Sequence, residues 1–340
     1  MPHTPPAQTM RFSIIVPVYN REAEVADLLA SLEAQTDSGF QVVIVEDGST
    51  LPCDRVCEKY RGPVDLKYYH KSNEGRSIAR NYGMDRADGD YFIFVDSDCI
   101  LPPEYIATLR RCLNESYTDC FGGPDAAHDS FTTTQKAINY SMTSLLTTGG
   151  IRGGKVQMEK FVPRTFNMGF SRAVYEKVGG FREMFSEDID MSTRIRLAGF
   201  GIKLFRPVYV YHKRRVDLRK FWRQVHVFGM SRITLQLLYP GSMKLVHTLP
   251  AVFTIGSGVL ILLAIFWRWW CILPLAAYIL AVWVTGIIST KSLKIGSLGV
   301  LTSLTQLYGY GTGFIGAYVW KILLRHGRDE AREVEMRRGK

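Results

Sequence analysis

The chain of 340 residues is 46% hydrophobic and carries a formal net charge of +10. One α/β domain of roughly 200 to 250 residues would leave length to spare, so we expect a second region. The six cysteines form no Cys-x-x-Cys pair and have no histidine at metal-finger spacing, which argues against a zinc finger and favours free thiols in a reducing compartment. Residues 1–10 lack a basic stretch followed by an apolar one, so we predict a disordered cytosolic start without a cleaved signal peptide.

Residues 11–215 are predicted to form one α/β domain. The runs FSIIVPVY, QVVIVEDGS, VDLKYYH and YFIFVDSD have the apolar content of short buried strands, and helix-length stretches separate them. Strands that alternate with helices predict a mostly parallel sheet flanked by helices. Ligands of such open sheets bind at the carboxyl ends of the strands, so the residues at those ends are the candidate site.

The predicted strand ends are rich in acids. They comprise Pro17, Tyr19 and Asn20, then Glu46, Asp47, Gly48 and Ser49, and finally Asp96, Ser97 and Asp98. The chain has no glycine-rich phosphate loop of the usual kinds, so bound phosphates need another counter-charge. Asp96 and Asp98 suit a divalent metal whose coordination is completed by phosphate oxygens and water. Taken alone, an Asp-x-Asp at a strand end is more often a turn with Asx hydrogen bonds, and that alternative stays open.

Five segments together resemble the family-2 inverting glycosyltransferases of GT-A fold. They are SIIVPVYN, VVIVEDGST, NEGRSIARNYGMDRADGDYFIFVDSDCILPPEYI, NMGFSRAVYEKVGGF and SEDIDMSTRIRLAGF. The resemblance covers residues 11–215 and implies a Rossmann-like nucleotide-binding half, a nucleotide-sugar donor, a divalent metal (Mg²⁺ or Mn²⁺) and one carboxylate as catalytic base. It implies that Asp98 contacts the metal and that Asp96 lies near the ribose.

Individual side chains indicate how the nucleotide binds. Asp47 can accept a hydrogen bond from the N3–H of uracil or thymine, which favours a UDP- or dTDP-linked sugar, and Tyr19 can stack on the base. Glu22 can reach the ribose, although an acid in the first turn of a helix also stabilises the helix dipole. Arg80 resembles the family's arginine near the nucleotide, whereas its simplest role is that of a solvent-facing helix residue. The predicted nucleotide-sugar site is Pro17, Tyr19, Asn20, Glu22, Asp47, Gly75, Arg80, Asp96, Ser97, Arg214 and Arg215.

The segment SEDID, residues 186–190, is predicted to carry the chemistry. Transfer to a hydroxyl requires a proton acceptor, and a positioned carboxylate contributes about 10²- to 10⁴-fold. Asp188 matches the family's base, and Glu187 is the neighbouring catalytic candidate. The simpler interpretation is a capped helix start with Ser186 at the N-cap, and both interpretations can hold together. Asp190 is expected to be a structural partner of an arginine such as Arg194.

Basic residues follow the last predicted strand of the domain. His212 is a candidate third metal ligand, and Arg214 or Arg215 can neutralise the departing diphosphate. The alternative is electrostatic anchoring to anionic lipid, and residues 216–246 are predicted to form a basic amphipathic segment at the membrane interface. The glycine-rich run TTGGIRGGKVQMEKF, with Arg152 and Lys155, is expected to be a mobile loop on the acceptor side.

Residues 247–321 are predicted to form a transmembrane region. The stretches 248–267, 269–290 and 295–320 lack Asp, Glu, Lys and Arg, so each is long enough to span a bilayer as a helix. The third is interpreted as a glycine-rich helix that packs closely on its neighbours, with a re-entrant segment as the alternative. Residues 201–250 hold ten Lys/Arg and one acid, which predicts a cytosolic catalytic domain. Residues 322–340 form a charged tail.

The sequence therefore predicts a membrane-anchored inverting glycosyltransferase, and we expect it in the bacterial inner membrane. Its acceptor is expected to be a lipid-linked saccharide or a growing glycan at the cytosolic face, and no nucleic acid is expected as a partner. A processive polysaccharide synthase is the alternative within the enzyme class. A non-catalytic membrane scaffold is the alternative from a different class.

Overall fold

The computed structural model describes residues 10–126, 132–148, 161–212 and 217–327. Two compact units divide the chain: Met1–His128 with Phe161–Lys213 and Arg337–Lys340, and Asp129–Lys160 with Arg214–Met336. We call them the α/β unit and the helical unit. Arg152, Lys155, Arg214 and Arg215, which the sequence singles out, lie outside the described residues.

The elements follow in chain order. The first segment contains β1 (Phe12–Val18), α1 (Glu22–Glu33), β2 (Phe40–Asp47), α2 (Asp54–Tyr60), β3 (Leu66–Lys71), α3 (Arg76–Met84), β4 (Tyr91–Phe94), β5 (Cys99–Ile100), α4 (Tyr105–Glu115), β6 (Cys120–Gly122) and β7 (Asp125–Ala126). Two helices of the helical unit come next, α5 (Thr133–Thr143) and α6 (Leu145–Thr148). The chain then forms β8 (Met168–Ser171), α7 (Arg172–Val178), α8 (Glu187–Leu197), β9 (Ile202–Leu204) and β10 (Val210–His212). The last described segment contains α9 (Leu218–Leu238), α10 (Leu245–Phe266), a 3-10 turn (Trp269–Ile272), α11 (Leu273–Thr290), α12 (Leu293–Ala317) and a π-helical turn (Tyr318–Leu323).

The α/β unit is built on a seven-stranded sheet of order β3-β2-β1-β4-β8-β6-β9. The first four strands in this order are parallel, β8 runs antiparallel to both of its neighbours, and β9 is parallel to β6. A three-stranded sheet of order β5-β10-β7 lies beside it in the same unit. The predicted mostly parallel sheet is therefore confirmed, and the carboxyl ends of β1 to β4 share one edge.

Burial of the sheet on both faces explains why its strands are continuously apolar rather than alternating. Two apolar clusters pack against the sheet. Ile14 and Val16 of β1 belong to one of them, and Ile15, which lies between them in the chain, belongs to the second. Successive side chains of a strand point to opposite faces, so each face needs its own apolar residues. Gly83 of α3 permits close packing on this sheet, because a Cβ there would lie 2.6 Å from Cγ2 of Ile15.

Helix α12 packs inside the helical unit through its glycines. A Cβ at Gly313 would lie 2.1 Å from the backbone oxygen of His226 on α9, and one at Gly311 would lie 2.5 Å from the backbone oxygen of Pro250 on α10. A Cβ at Gly299 would lie 2.9 Å from the ring of Tyr140 on α5. Small residues let helix backbones approach closely, so the interpretation of residues 295–320 as a closely packed glycine-rich helix is confirmed.

Helices α5 and α6 belong to the helical unit, although the sequence assigns residues 11–215 to one catalytic domain. Tyr140 of α5 donates its hydroxyl proton to the backbone oxygen of Val282 at 2.9 Å. The hydroxyl of Thr302 on α12 donates to the backbone oxygen of Ala137 at 3.0 Å. These bonds fix α5 among the helices that come more than a hundred residues later.

Two helical segments of the described residues are long and apolar enough to cross a membrane, Leu245–Phe266 and Trp269–Thr290. They correspond to the predicted segments 248–267 and 269–290. The third predicted segment forms α12 and the following π-helical turn, but it is less apolar than these two and is not among the candidates. Its crossing of the membrane stays a prediction.

Candidate functional site

The loops after β1 and β2 are joined by Asn20. Its backbone φ of +53° is left-handed, a conformation that asparagine tolerates better than most residues. Its side-chain oxygen accepts hydrogen bonds from the backbone N–H and the hydroxyl of Thr50, both at 2.9 Å, and its own N–H donates to the Ser49 hydroxyl at 2.7 Å. Asn20 thus holds the two strand ends together. The neighbouring Tyr19 is 51% exposed.

Asp47 lies at the carboxyl end of β2 and organises the loop that follows β3. Its Oδ1 accepts from the Lys71 ammonium group at 2.9 Å and from the backbone N–H of Glu74 at 3.0 Å. Its Oδ2 accepts from the backbone N–H of Gly75 at 2.8 Å. Gly75 has φ +98°, which favours glycine, and it lies directly before α3. The Asp47 carboxylate therefore fixes the loop that leads into α3, the helix that carries Arg80.

Arg80 is buried at 1% exposure, so it is not a solvent-facing helix residue. Its guanidinium group donates to Oδ1 of Asp96 at 2.8 Å and to Oε1 of Glu187 at 3.0 Å. Arg76, one turn earlier on α3, donates to the other oxygen of Glu187 at 2.8 Å. One buried arginine thus links the Asp-x-Asp element to the first turn of α8, and Glu187 has both oxygens bound by arginines.

The Asp-x-Asp element meets His212 across the small sheet. Strands β5 and β10 pair so that His212 lies opposite Cys99, and Nε2 of His212 lies 3.2 Å from Oδ1 of Asp98. Phe166 stacks on the imidazole ring at 4.8 Å between ring centroids, and Arg21 lies 3.6 Å from Oδ2 of Asp98. The structure therefore brings together Asp98 and His212, two of the three residues that the sequence proposes as metal ligands.

Asp98, Cys99 and His212 have their ligand atoms within 4.8 Å of one another. Burial, and then the charges of Asp96 and Asp98, raise the pKa of the Cys99 thiol well above its usual value. Thiolate ligands suit soft metals, whereas Mg²⁺ and Mn²⁺ prefer oxygen donors, so Cys99 is the least suited of the three. A carboxylate and an imidazole remain, a donor set that fits a divalent cation such as Mn²⁺ when a diphosphate supplies further oxygens.

Helix α8 begins at a strained residue. Ser186 occupies the N-cap position with φ +64°, and its side chain makes no capping hydrogen bond, contrary to the simple capping interpretation. Strained residues of this kind cluster at functional sites. Oδ2 of Asp188 pairs with Arg164 at 3.1 Å. Burial favours the neutral acid, but the Arg164 charge and the hydrogen bonds from Arg164 and the Ile189 N–H outweigh it and lower the pKa of Asp188.

Asp190 is fully buried and pairs with Arg182 at 3.1 Å and with Arg194 at 2.9 Å. Its expected role as a structural partner of Arg194 is therefore confirmed.

The remaining predicted site residues lie at or near the same edge of the sheet. Pro17 is the penultimate residue of β1, Ser97 is buried between the two acids, and Glu22 is exposed in the first turn of α1. Sequence reasoning missed the partners of the acids, Lys71 and Arg164. Lys71 directly follows the predicted strand VDLKYYH and ends the observed β3, so its position is a usable signal. Arg164 lies outside the named helices and strands, and no sequence pattern marks it.

The mostly parallel sheet and its flanking helices define a protein of GT-A fold. The solved mannosyltransferase PcManGT from Pyrobaculum calidifontis, in complex with GDP-Man and Mn²⁺, shares this fold. The TM-score is 0.55 at 16% identity, and the alignment covers 93% of this chain and 88% of that one. Residues 13–179, just under half of the chain, match the family described as Glycosyl transferase family 2.

Two curated relatives carry glycosyltransferase names. The poly(ribitol-phosphate) beta-N-acetylglucosaminyltransferase TarS of Staphylococcus aureus is 35% identical over 114 residues, which is 32% of this chain and 20% of TarS. Glycosyltransferase GlyA of Streptococcus pneumoniae is 35% identical over 111 residues, which is 32% of this chain and 16% of GlyA. The chain thus matches a minor part of these relatives' length. The family match ends before α8, so it includes Asp96 and Asp98 but not Asp188.

Proposed function

We propose that this protein is a membrane-anchored inverting glycosyltransferase that moves a sugar from a nucleotide diphosphate to an acceptor hydroxyl. The observation that carries the proposal is the buried Arg80, which hydrogen-bonds both Asp96 and Glu187. A buried arginine with two carboxylate partners fixes the donor-side acids relative to the start of α8, where the proposed base lies. Such preorganisation is what a transferase needs to align a donor with an attacking hydroxyl.

The donor is proposed to be a UDP- or dTDP-linked sugar. Asp47 offers an acceptor oxygen at the end of β2, and the exposed ring of Tyr19 is available for stacking on the base. PcManGT has GDP-Man as its bound nucleotide sugar, so guanine donors belong in any test. Guanine also presents an N–H beside a carbonyl group, as uracil and thymine do.

Asp98 and His212 are proposed to hold a divalent cation, Mg²⁺ or Mn²⁺. When bound, that ion neutralises the diphosphate of the donor and of the leaving group. Asp96 is the remaining acid of this edge, and its hydrogen bond from Arg80 occupies one of its oxygens. Arg214 and Arg215 are proposed as further counter-charges for the leaving group.

Asp188 is proposed as the general base that accepts the proton of the acceptor hydroxyl. Its lowered pKa keeps the carboxylate charged at neutral pH, and it is only partly covered, with 14% of its side chain exposed. Glu187 is less suited to this task, because Arg76 and Arg80 occupy both of its oxygens. We therefore assign Glu187 to positioning the arginines.

The acceptor is proposed to be a lipid-linked saccharide or glycan at the cytosolic face of a bacterial inner membrane. The two apolar segments Leu245–Phe266 and Trp269–Thr290 support anchoring, and the basic residues before them favour a cytosolic catalytic domain. We propose three crossings, with residues 295–320 as the third. Cysteines at Gly339 and in the loop 291–294 of a cysteine-free variant, probed with an impermeant thiol reagent, test this topology. Labelling of Gly339→Cys only after permeabilisation would exclude the third crossing.

A screen of nucleotide sugars with the detergent-solubilised protein tests the activity. Released nucleoside diphosphate is measured with and without a chelator, in the presence of lipid-linked acceptors. We expect release that depends on both the metal and one particular sugar. Absence of release with every UDP-, dTDP- and GDP-linked donor would instead favour the non-catalytic scaffold.

A further inference from the structure

Lys71, the last residue of β3, joins the Asp47 carboxylate to the loop 72–75. Its ammonium group lies 2.9 Å from Oδ1 of Asp47, 2.7 Å from the backbone oxygen of Ser72 and 2.6 Å from the carboxylate of Glu74. The side chains of Lys71 and Asp47 are 8% and 5% exposed, whereas that of Glu74 is 51% exposed. The buried part of this group is therefore the Lys71–Asp47 pair.

The pair controls the orientation of Asp47. The carboxylate also accepts from the N–H groups of Glu74 and Gly75, so three donors from β3 and its loop surround it. Gly48, next in the chain, fits closely against the same loop, because a Cβ there would lie 2.5 Å from the backbone nitrogen of Asn73. Neither the carboxylate nor the loop can move far while these contacts persist.

The charge of Lys71 matters as much as its contacts. Burial disfavours the ammonium ion, but the hydrogen bonds to Glu74 and Asp47 outweigh burial and raise the pKa of Lys71, so the side chain stays charged. Without it, the described contacts of the buried Asp47 carboxylate would include no cation. A buried carboxylate without a counter-charge is costly, so its side chain would rotate toward solvent.

We propose that Lys71 is the positioning residue for donor-base recognition: it keeps Asp47 oriented as a charged acceptor for an imide N–H. The inference rests on the proposed function, in which Asp47 binds the base. Uracil has an N–H at position 3, where cytosine has a bare nitrogen that needs a donor. An Asp47 carboxylate held in this position thus favours uracil, whereas a carboxylate that has rotated away no longer distinguishes the two bases. Lys71 thereby determines the preference for UDP over CDP.

Calorimetric titration of the full-length protein with UDP and with CDP, each with Mn²⁺, tests this role. In the wild type we expect UDP to bind more tightly than CDP. Lys71→Met should weaken UDP binding on the order of tenfold or more, because a charged hydrogen-bond partner is lost, and should move the UDP/CDP affinity ratio toward one. Lys71→Arg should restore most of the ratio. Lys67→Met, on the same strand and with its own partner Asp88, is the matched control and should leave the ratio unchanged.

The affinity ratio separates positioning from general support of the fold. A Lys71→Met variant that binds both nucleotides more weakly, at the wild-type ratio, would overturn the inference. If Lys71→Met does not fold, Lys71→Gln is judged by the same ratio. A wild-type protein that binds neither UDP nor CDP would overturn the proposed pyrimidine donor, and the inference with it.

Discussion

The α/β unit and the helical unit bury polar groups by different means. In the α/β unit, buried charges are paired with each other, as in Arg80 with Glu187 and Asp190 with Arg194. In the described part of the helical unit, several buried hydroxyls bond to helix backbones, as Thr302 does to Ala137. A buried charge pair is directional and costly to break, so it suits a site that must hold its shape. Hydroxyls and glycines suit close helix packing instead.

This difference predicts two kinds of variant. Changes to the acids at the edge of the sheet should remove chemistry while the fold persists. Changes to the glycines of α12 should reduce stability while the chemistry of the folded fraction persists. The four predictions below test this separation.

The largest effect is expected for Asp98→Asn. The amide cannot replace the carboxylate as a charged metal ligand, so transfer and Mn²⁺-dependent donor binding should both be abolished. Calorimetry with the nucleoside diphosphate and Mn²⁺ measures the binding, and circular dichroism checks the fold. Asp88→Asn, an exposed acid of the same unit, is the control. Unchanged metal-dependent binding in Asp98→Asn would remove Asp98 from the metal site.

Asp188→Asn should lower turnover by a factor on the order of 10² or more and leave donor affinity near that of the wild type. Only proton removal in the transition state is lost, so kcat falls while binding remains. Steady-state kinetics and a separate donor titration make the distinction. Ordinary turnover in this variant would show that Asp188 is not the base.

Arg164→Gln should move the acid limb of the kcat profile to higher pH. A base must be deprotonated to act, and the Arg164 charge helps to hold the pKa of Asp188 below its usual value against the opposing effect of burial. Removal of that charge leaves burial to raise the pKa, so activity is lost at a higher pH as the pH falls. Turnover measured from pH 4 to 8 tests this, and an unshifted limb would show that Arg164 does not tune the base.

Gly313→Ala and Gly316→Ala form a matched pair on α12. The added Cβ lies 2.1 Å from the His226 backbone oxygen in the first variant and has no neighbour within 4 Å in the second. Overpacking should lower the free energy of unfolding by about 1–3 kcal/mol at Gly313. Higher helix propensity should raise it by up to about 1 kcal/mol at Gly316. Thermal unfolding in detergent compares them, and equal Tm values would contradict the close packing of α12 on α9.

The sequence predicted the α/β unit better than the helical unit. Strand-end acids such as Asp47 and Asp98 come from local patterns, and parallel strands necessarily bring them to one edge. The partners Lys71 and Arg164 were missed because ion pairing across loops has no period in the sequence. The place of Tyr140 among the later helices was missed for a related reason, since its contact with Gly299 joins residues far apart in the chain.

The exposure of Arg80 was also misjudged. An arginine on a short helix is usually solvated, and only the two acids that the fold brings to it make burial possible. Ser186 shows the same limit, because its left-handed backbone comes from tertiary structure rather than from the capping preference of serine.

The central claim is that the sugar is transferred in a single displacement. The donor binds at the carboxyl edge of the sheet, and Asp188 on α8 takes the proton of the attacking hydroxyl. The anomeric configuration of the released sugar tests it most directly. The donor is an α-linked nucleotide sugar that the screen identifies as active, and water is the acceptor. Proton NMR in real time records which anomer of the sugar is released first, before the two anomers equilibrate. The account predicts that the β anomer appears first. Initial release of the α anomer would mean net retention, by a double displacement or by attack from the face of the leaving group, and would contradict a single inverting displacement with Asp188 as the general base.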